Sequence, residues 1–151
     1  MKAVLQRVQN AQVEVDGAVC SSIGAGFLVL LGVESTDTEA DALALARKIS
    51  GLRVFTDEND KMNLSLADIN GEILVVSNFT LCADCRKGRR PNFERAARGE
   101  SANTLYELFC DSLLKAGVRN VGKGIFGADM MVSLHNDGPV TIIIDSTELA
   151  K

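Results

Sequence analysis

A short, unbroken apolar run constrains the fold of this chain more than any other feature. Residues 27–33 follow two glycines, Gly24 and Gly26, and contain no polar side chain. A run of this length bounded by turn residues is typical of a buried β-strand. It falls far short of the roughly 20 residues that a membrane-spanning helix needs, so no membrane segment is expected. Hydrophobic residues make up 46% of the 151 residues, enough to bury a core around this strand.

Alternating and helical hydrophobic patterns predict the other elements. Strands are predicted at residues 2–9 and 52–55, in a hairpin over 11–23, at 72–79, and in a final hairpin over 129–145 with its turn at 136–139. Two helices are predicted, one ending at Gly51 and one running from Ser101 to Gly117. Short connections favour antiparallel pairing. We therefore expect one α+β domain over residues 1–151, with a mainly antiparallel, curved or barrel-like sheet and two principal helices packed outside.

Charge is concentrated in one segment of the chain. The net charge is -4, yet residues 86–98 alone carry a net charge of +5. The cations of this segment are Arg86, Lys87, Arg89, Arg90, Arg95 and Arg98. A basic segment on an acidic protein can attract phosphate at one place, although a solvated loop and helix face would give the same pattern.

Four cysteines raise the question of a metal or redox site. Residues 1–7 do not resemble a signal peptide, so a cytoplasmic protein with reduced thiols is expected. Cys82 and Cys85 form a CxxC pair, but a structural zinc site needs four ligands and the chain has a single histidine. No metal is expected. Two thiols in a loop after a strand are the favoured interpretation, and redox activity stays open as an alternative.

The usual catalytic motifs are missing. His135 is the single histidine, and no nucleophile elbow, Walker loop or HExxH helix occurs. Ser77 and Thr80 interrupt the end of an apolar strand, where free backbone N–H groups could form an oxyanion hole. Gly138-Pro139 is an ordinary turn dipeptide, and since X–Pro bonds are cis in only about 5–6% of cases, frequency alone predicts trans.

Two ordered motifs about sixty residues apart carry a family resemblance. Residues 77–81 read Ser-Asn-Phe-Thr-Leu, and residues 136–141 read Asn-Asp-Gly-Pro-Val-Thr. With residues 5–8, 28–33 and 61–64, they make the chain resemble the D-aminoacyl-tRNA deacylase family over nearly its whole length. The family motifs are Ser-Gln-Phe-Thr-Leu and Asn-x-Gly-Pro-Val-Thr. One position differs, because Asn78 stands where the family usually has glutamine.

The resemblance implies an activity and an assembly. Family members are homodimers that hydrolyse the ester between a D-amino acid and the 3′-terminal adenosine of tRNA, and they also act on glycyl-tRNA. No cofactor is implied. In the family the Gly-Pro bond is cis and enters the active site of the opposite subunit, so the carbonyls of Gly138 and Pro139 would exclude an L-side chain. The motif that would select the chirality of the substrate comprises Asn136, Gly138, Pro139, Val140 and Thr141.

The resemblance also implies the other site residues. The catalytic set would be Ser77, Asn78, Phe79 and Thr80. The concentration of charge, rather than the resemblance, suggests that the tRNA phosphates would be bound by Arg86, Lys87, Arg89 and Arg90. We expect water to attack the ester with help from the ribose 2′-OH, while backbone amides near Phe79 and Thr80 hold the oxyanion. Thr80 as a nucleophile is the alternative, but the sequence offers it no base.

Two functions of other classes compete with this prediction. The first is a non-catalytic RNA-binding module that uses the basic segment. The chain has one Tyr, no Trp and six Phe, which is a poor supply of stacking residues for such a module. The second is a thiol redox protein that uses Cys82 and Cys85, for which no βαβ context is predicted.

Overall fold

The computed structural model describes residues 1–149. The strands are β1 (Lys2–Val15), β2 (Ala18–Ile23), β3 (Gly26–Gly32), β4 (Phe55–Thr56), β5 (Met62–Leu64), β6 (Glu72–Ser77), β7 (Val121–Lys123) and β8 (Met131–Asp145). The helices are α1 (Glu39–Ser50) and α2 (Gly99–Lys115), with short 3-10 turns at Phe79–Cys82 and Ser146–Glu148. Neither α1 nor α2, nor any other helix within residues 1–149, combines the length and apolar composition that crossing a membrane requires.

Strand β1 is the centre of a six-stranded sheet. The order is β2-β1-β3-β6-β7, and β8 also pairs with β1. The first half of β1 pairs with β3 and the second half with β2, while β8 runs antiparallel along nearly its whole length. The pairs β3–β6 and β6–β7 are parallel, and the remaining pairs are antiparallel. The expected α+β fold with a mainly antiparallel, barrel-like sheet is confirmed.

The apolar run is buried on both faces of the sheet. Phe27, Val29 and Leu31 pack in the larger core, against the helices. Leu28 packs on the opposite face, in the smaller core enclosed by the curved sheet. Burying one such side chain contributes about 1.5–3 kcal/mol, so a strand with two buried faces has no place for a polar residue. This is the physical reason for the unbroken run.

The sheet is so strongly curved that its two end strands, β2 and β7, lie in contact. A Cβ atom added to Gly122 in β7 would lie 2.5 Å from Ser21 Oγ in β2. These two strands are at opposite ends of the order β2-β1-β3-β6-β7. The absence of a side chain at Gly122 therefore permits the close approach that nearly closes the barrel.

Both predicted helices are present. Helix α1 begins after Thr38, whose N–H and hydroxyl both donate to Asp41 Oδ2, at 3.0 and 2.7 Å. Helix α2 buries an apolar stripe that includes Tyr106, Phe109 and Leu113. It starts two residues before the predicted Ser101. The two helices pack on each other and on the outer face of the sheet.

Two strand predictions were wrong in connectivity. Residues 2–15 form one strand, although a break was predicted near residue 10. Residues 131–145 also form one strand, so the predicted final hairpin with its turn at 136–139 does not exist. Long-range pairing between β1 and β8 explains both errors, because each strand holds the other extended through residues that favour turns. A smaller difference is that β4 covers Phe55–Thr56 and so shares a single residue with the strand predicted at 52–55.

Candidate active site

A cavity of about 600 Å³ lies beside the C-terminal end of β6. It is lined by residues 77–79, by parts of 93–102, and by 126–130, together with Leu31 and Val33. Three of the four predicted catalytic residues, Ser77, Asn78 and Phe79, therefore share one cavity. Thr80 is exposed and does not line it. Segments from distant parts of the chain meet here because β6 is an inner strand of the sheet.

The turn after β6 is fixed by backbone contacts. Asn78 N–H donates to Leu31 O at 2.8 Å and continues the pairing of β6 with β3. The 3-10 turn Phe79–Cys82 then packs against Gly32, where an added Cβ would lie 3.0 Å from Leu81 Cβ and 3.1 Å from Cys82 Sγ. The glycine thus allows the turn to sit directly on β3.

Asn78 caps this turn with its own side chain. Its Oδ1 accepts a hydrogen bond from Thr80 N–H at 3.2 Å and another from the Thr80 hydroxyl at 2.5 Å. The amide of Thr80 is therefore occupied, whereas Phe79 N–H is the first amide of the turn and has no acceptor within it. An amide oxygen is no base for the Thr80 hydroxyl. This geometry favours Phe79 N–H over Thr80 N–H as an oxyanion donor.

The single histidine is not part of a catalytic triad. His135 Nδ1 shares a hydrogen bond with Asn10 Nδ2 at 3.2 Å, between β8 and β1. The Ser77 hydroxyl makes no hydrogen bond to any residue in the range 1–149, so the structure contains no Ser-His pair.

One wall of the cavity is anchored to the segment that follows β3. Ala97 N–H donates to Val33 O, and Ser35 N–H donates to Arg95 O, each at 2.9 Å. Glu34, which is only 8% exposed, binds Arg95 Nη2 at 2.9 Å and Lys2 Nζ at 3.1 Å. The buried carboxylate of Glu34 therefore fixes the segment around Arg95, which forms this wall of the cavity.

The basic residues project from a small closed loop beside this wall. Asp84 and Asn92 exchange two backbone hydrogen bonds, of 2.7 and 2.9 Å, which close the loop at its base. Just beyond this base, Phe93 packs edge-to-face on Phe79, with ring centroids 5.1 Å apart. We call residues 84–92 the basic loop.

The cations of the basic loop are not equivalent. Arg86 is held by Asp84 at 2.5 Å, and this guanidinium keeps the pKa of the Asp84 carboxyl well below its usual range. Lys87, Arg89 and Arg90 are exposed and form no ion pair with any residue that the structure describes. These three charges are therefore free to meet an anionic ligand, whereas Arg86 already has a carboxylate partner.

The second motif forms a bulge in β8. Thr141 pairs with Gln6 and Asn136 pairs with Val8, so residues 137–140 loop out opposite the single residue Arg7. The bulge is exposed at Gly138 and Pro139, and the bond between them is cis, where frequency alone predicted trans.

Arg7, the residue of β1 opposite the bulge, stabilises it through its side chain. Its Nε donates to Asp137 O at 2.9 Å and forms an ion pair with the Asp137 carboxylate at 3.1 Å. Its Nη1 donates to Val54 O at 2.6 Å, and Asn136 Nδ2 donates back to Arg7 O at 2.8 Å. Arg7 is only 8% exposed. A buried guanidinium thus connects the bulge to the segment that enters β4.

Sequence reasoning missed Arg7 as a functional residue. It was noted only as part of the matching stretch 5–8. The available signal was a charged residue among the apolar positions of a strand, which is rare unless the charge is paired. Two charged residues that line the cavity were not predicted as site residues: Arg98 was noted only as a cation of segment 86–98, and exposed Asp129 lies outside the two motifs.

The bulge does not line the cavity of its own chain. The residues that surround the cavity include none of 136–141. The two motifs, residues 77–81 and 136–141, therefore do not share one cavity within a single subunit.

The CxxC pair lacks the features of a redox site. Cys82 is buried at the end of the 3-10 turn, and burial raises the pKa of its thiol. Cys85 is exposed at the start of the basic loop. A redox-active pair needs a thiol whose pKa is lowered, so this geometry counts against the redox alternative.

Comparisons with known proteins identify the family. The family model described as D-Tyr-tRNA(Tyr) deacylase matches residues 4–145. The chain belongs to this family. A D-aminoacyl-tRNA deacylase from Clostridium beijerinckii is 59% identical over 146 residues, covering 97% of each chain. A second D-aminoacyl-tRNA deacylase, from Clostridium botulinum, is 57% identical with the same coverage. The protein is thus a hydrolase of the deacylase family, and its substrate is aminoacyl-tRNA.

Solved structures share the fold. The structure called c-Myc DNA Unwinding Element Binding Protein is 44% identical, with a TM-score of 0.90 over 96% of this chain and 98% of that one. A structure described as a probable eukaryotic D-amino acid tRNA deacylase is 19% identical, with a TM-score of 0.81 over 95% and 97% of the two chains. The second likeness is one of fold alone.

Proposed function

We propose that this deacylase hydrolyses D-aminoacyl-tRNA and glycyl-tRNA in the cavity beside β6, as a homodimer in which the Gly138-Pro139 bulge of each subunit completes the cavity of the other. One observation carries the proposal. The bulge is held firmly by a buried arginine and yet lies outside the cavity of its own chain. A rigid, exposed motif of this kind needs a site elsewhere, and a symmetric dimer supplies one.

The surface around the bulge suits a contact with a second copy. Strand β8 pairs with β1 along one edge, and its other edge is unpaired within residues 1–149. On β8, Met131 is 69% exposed and Ile143 is 75% exposed. An open strand edge flanked by apolar side chains favours association with another chain.

The bulge would select the substrate by exclusion. In the partner's cavity, the backbone of Gly138 and Pro139 would occupy the side of the substrate's α-carbon on which an L-amino acid carries its side chain. A D-amino acid places its side chain elsewhere, and glycine has none, so both would fit. The wall would consist of backbone atoms, which a rotamer change cannot move aside.

Hydrolysis would rely on the position of the ester in the cavity and on polarisation of its carbonyl group. The ester carbonyl would lie next to Ser77 and Phe79, with Phe79 N–H donating to the developing oxyanion. Water would attack, assisted by the ribose 2′-OH of the substrate. The Thr80 hydroxyl is bound to Asn78 Oδ1, an amide oxygen that cannot take its proton. A covalent mechanism through Thr80 therefore has no base to start it.

The basic loop would bind the phosphates of the tRNA. Lys87, Arg89 and Arg90 are exposed and lack ion-pair partners in the described chain, and the loop lies beside the cavity wall. The terminal bases could stack on the contacting rings of Phe79 and Phe93 at the same mouth. An enzyme that acts on aminoacyl-tRNA would work in the cytoplasm, where this substrate is used.

Mixed dimers test whether the site is shared between subunits. Gly138→Ala disturbs the bulge of one chain, and Asn78→Ala disturbs the cavity of another. If the sites are shared, heterodimers formed by unfolding and refolding an equal mixture have one intact site. Activity should then recover to about a quarter of that of the wild type, from two parents that are each nearly inactive. Activity that stays at the parental level would show that each subunit works alone.

Salt dependence tests the basic loop. The double change Arg89→Glu and Arg90→Glu should raise KM for D-aminoacyl-tRNA and flatten its dependence on salt, because fewer counterions are released on binding. The matched control is Arg47→Glu with Lys48→Glu, which reverses two cations in the last turn of α1. An equal effect in both variants would reflect net charge alone and would refute a specific role for the loop.

A further inference from the structure

We propose that Phe93 links the basic loop to the backbone amide of Phe79, so that tRNA phosphates bound at the loop speed up cleavage of the ester. The inference rests on the proposed function, in which Phe79 N–H donates to the oxyanion and the basic loop binds the tRNA. Phe93 lies outside both motifs, residues 77–81 and 136–141, and its side chain carries no polar group. Its role is therefore to position Phe79 and not to take part in the reaction itself.

The basic loop begins and ends next to the turn after β6. One residue separates the turn Phe79–Cys82 from Asp84, the first residue of the loop. The loop closes where Asp84 and Asn92 exchange backbone hydrogen bonds, and Phe93 follows directly. The Phe93 ring packs edge-to-face on Phe79, and both side chains line the cavity. The peptide chain thus connects the turn to one end of the loop, and the ring pair connects it to the other end.

The ring pair restrains the proposed oxyanion donor. Phe79 is 57% exposed even with Phe93 packed on it, and Phe93 is the one aromatic ring that contacts it within residues 1–149. The ring and the N–H group of Phe79 share one Cα atom, so a ring held in place limits rotation of the backbone there. A displacement of about 1 Å of a positioned group can lower a rate on the order of 100-fold.

Phe93 also lies where the loop joins the cavity wall. Ala96 N–H donates to Phe93 O at 3.0 Å, and Glu94 N–H donates to Asn92 Oδ1 at 2.7 Å. These bonds fix Phe93 relative to the base of the loop. Restraint of the loop by a bound ligand therefore reaches Phe93 and, through the ring pair, Phe79.

The cations of the loop supply that restraint when tRNA binds. Lys87, Arg89 and Arg90 form no ion pair within residues 1–149, so their charges do not tie the loop to the rest of the protein. Phosphates bound to them would restrain the loop. Binding energy from a remote part of the substrate would then position a group at the reacting centre, which raises kcat as well as affinity.

A substrate without phosphates isolates this effect. The ester 3′-O-D-tyrosyl-adenosine has the same reacting end as D-tyrosyl-tRNA but gives the loop nothing to bind. Single-turnover rates at saturating enzyme report the bound complex and not the affinity. The wild type should cleave the tRNA ester at least about tenfold faster than the nucleoside ester.

Phe93→Leu should remove most of this advantage. We expect the rate for the tRNA ester to fall about tenfold, the scale of one edge-to-face ring contact, and the rate for the nucleoside ester to stay within about twofold. The nucleoside rate also shows that the variant is folded. Phe93→Tyr keeps the ring and should keep both rates within about twofold of the wild type.

A double-mutant cycle tests the link to the loop. In the background of Arg89→Glu with Arg90→Glu, Phe93→Leu should lower the tRNA rate by less than about twofold, because the loop no longer holds the phosphates. In the background of Arg47→Glu with Lys48→Glu, its effect should stay about tenfold. Coupled residues depart from additivity in this way, whereas independent residues do not.

The other outcomes would overturn the link. If Phe93→Leu lowers both rates by the same factor, the ring positions Phe79 whether or not the loop is occupied. If it weakens binding of the tRNA ester but leaves both saturated rates unchanged, the ring only binds the substrate. An equal loss in both double-charge backgrounds would show that the loop and Phe93 act independently.

Asn78→Ala tests the proposed function separately. It removes the cap of the turn after β6 and should lower both rates, whatever the role of Phe93. If Asn78→Ala leaves both rates unchanged, the ester is cleaved elsewhere, and the proposed function fails together with the inference. If Asn78→Ala lowers both rates and Phe93→Leu changes neither, the cavity holds the ester and only the link is wrong.

Discussion

The turn after β6 and the bulge in β8 are both short polar interruptions of a strand, but they are supported in different ways. The turn is held by its own residues, since Asn78 caps it and Gly32 lets it pack on the neighbouring strand. The bulge is held from outside by Arg7, which is 130 residues away in sequence from Asp137. The turn is stabilised by residues of its own motif, whereas the bulge is stabilised by a residue of a strand that is distant in sequence.

This difference predicts which residues each region can lose. A locally capped turn should tolerate the loss of one hydroxyl, because the backbone contacts to β3 remain. The bulge depends on Arg7, so it should lose its conformation when the Arg7 side chain is replaced. The same contrast fits their proposed roles, because an element that projects into a partner must keep its shape without help from the cavity it enters.

The largest effect is expected from Arg7→Gln. The change removes the guanidinium donors to Asp137 O and Val54 O and leaves two partly buried acceptors without these partners. We expect unfolding in denaturant to show a loss of about 3 kcal/mol. Deacylation should fall on the order of 100-fold, since a displacement of about 1 Å has that effect on a positioned group.

Two controls sharpen this prediction. Arg7→Lys keeps the charge but cannot bond in two directions at once, so it should restore only part of the stability. Arg53→Gln changes an exposed arginine bound to Asn63 Oδ1 and should stay within about 0.5 kcal/mol of the wild type. A stable, fully active Arg7→Gln protein would show that the bulge supports itself.

Gly138→Ala should damage activity without damaging the fold. An added Cβ would lie 2.1 Å from Val140 N, so the backbone of the bulge must shift. Because the bulge is exposed, we expect the free energy of unfolding to change by less than about 1 kcal/mol. Cleavage of D-tyrosyl-tRNA should fall about 30- to 100-fold relative to the wild type, and discrimination against L-tyrosyl-tRNA should weaken.

The matched control for this change is Gly51→Ala. There the added Cβ would meet Arg47 O at 3.5 Å, an ordinary contact. This variant should keep its activity and its selectivity. Unchanged D- to L-selectivity in Gly138→Ala would separate the bulge from chiral selection.

Thr80→Ala should have a small effect. It removes one hydroxyl that donates to Asn78 Oδ1, while the backbone N–H of residue 80 can still donate to the same oxygen. We expect kcat to stay within about fivefold and stability within about 1 kcal/mol of the wild type. Acid quenching during turnover should trap no acyl-enzyme. An ester on Thr80, detected by mass spectrometry, would revive covalent catalysis.

Alkylation of the CxxC pair should affect activity least of all. Burial raises the pKa of the Cys82 thiol, so at pH 8 less of it is thiolate than for an ordinary cysteine, and the fraction grows only as the pH rises further. Exposed Cys85 should react with iodoacetamide first, as followed by peptide mass mapping, with activity kept within about twofold. Cys85→Ser is the control. Rapid modification of Cys82, or a disulfide between the two, would contradict this.

Much of the fold was predictable because its signals are local. The unbroken run in β3 records burial on two faces, and the capping residues at Thr38 and Asp41 mark where α1 begins. The turn after β6 was also visible, since Ser77 and Asn78 end an apolar strand. These features depend on neighbours within a few residues, which a sequence displays directly.

The sequence by itself determined the fold class, the two helices, the end of β6 and the family resemblance. The tertiary structure alone decided that residues 129–145 do not turn back, that Asp137 to Val140 stand out as a bulge, and that Arg7 holds them. The physical reason is long-range pairing. Asn136 to Pro139 have the local preference of a turn, but β1 pairs with the residues on both sides and keeps the strand continuous. That competition is settled only when strands from the two ends of the chain lie side by side.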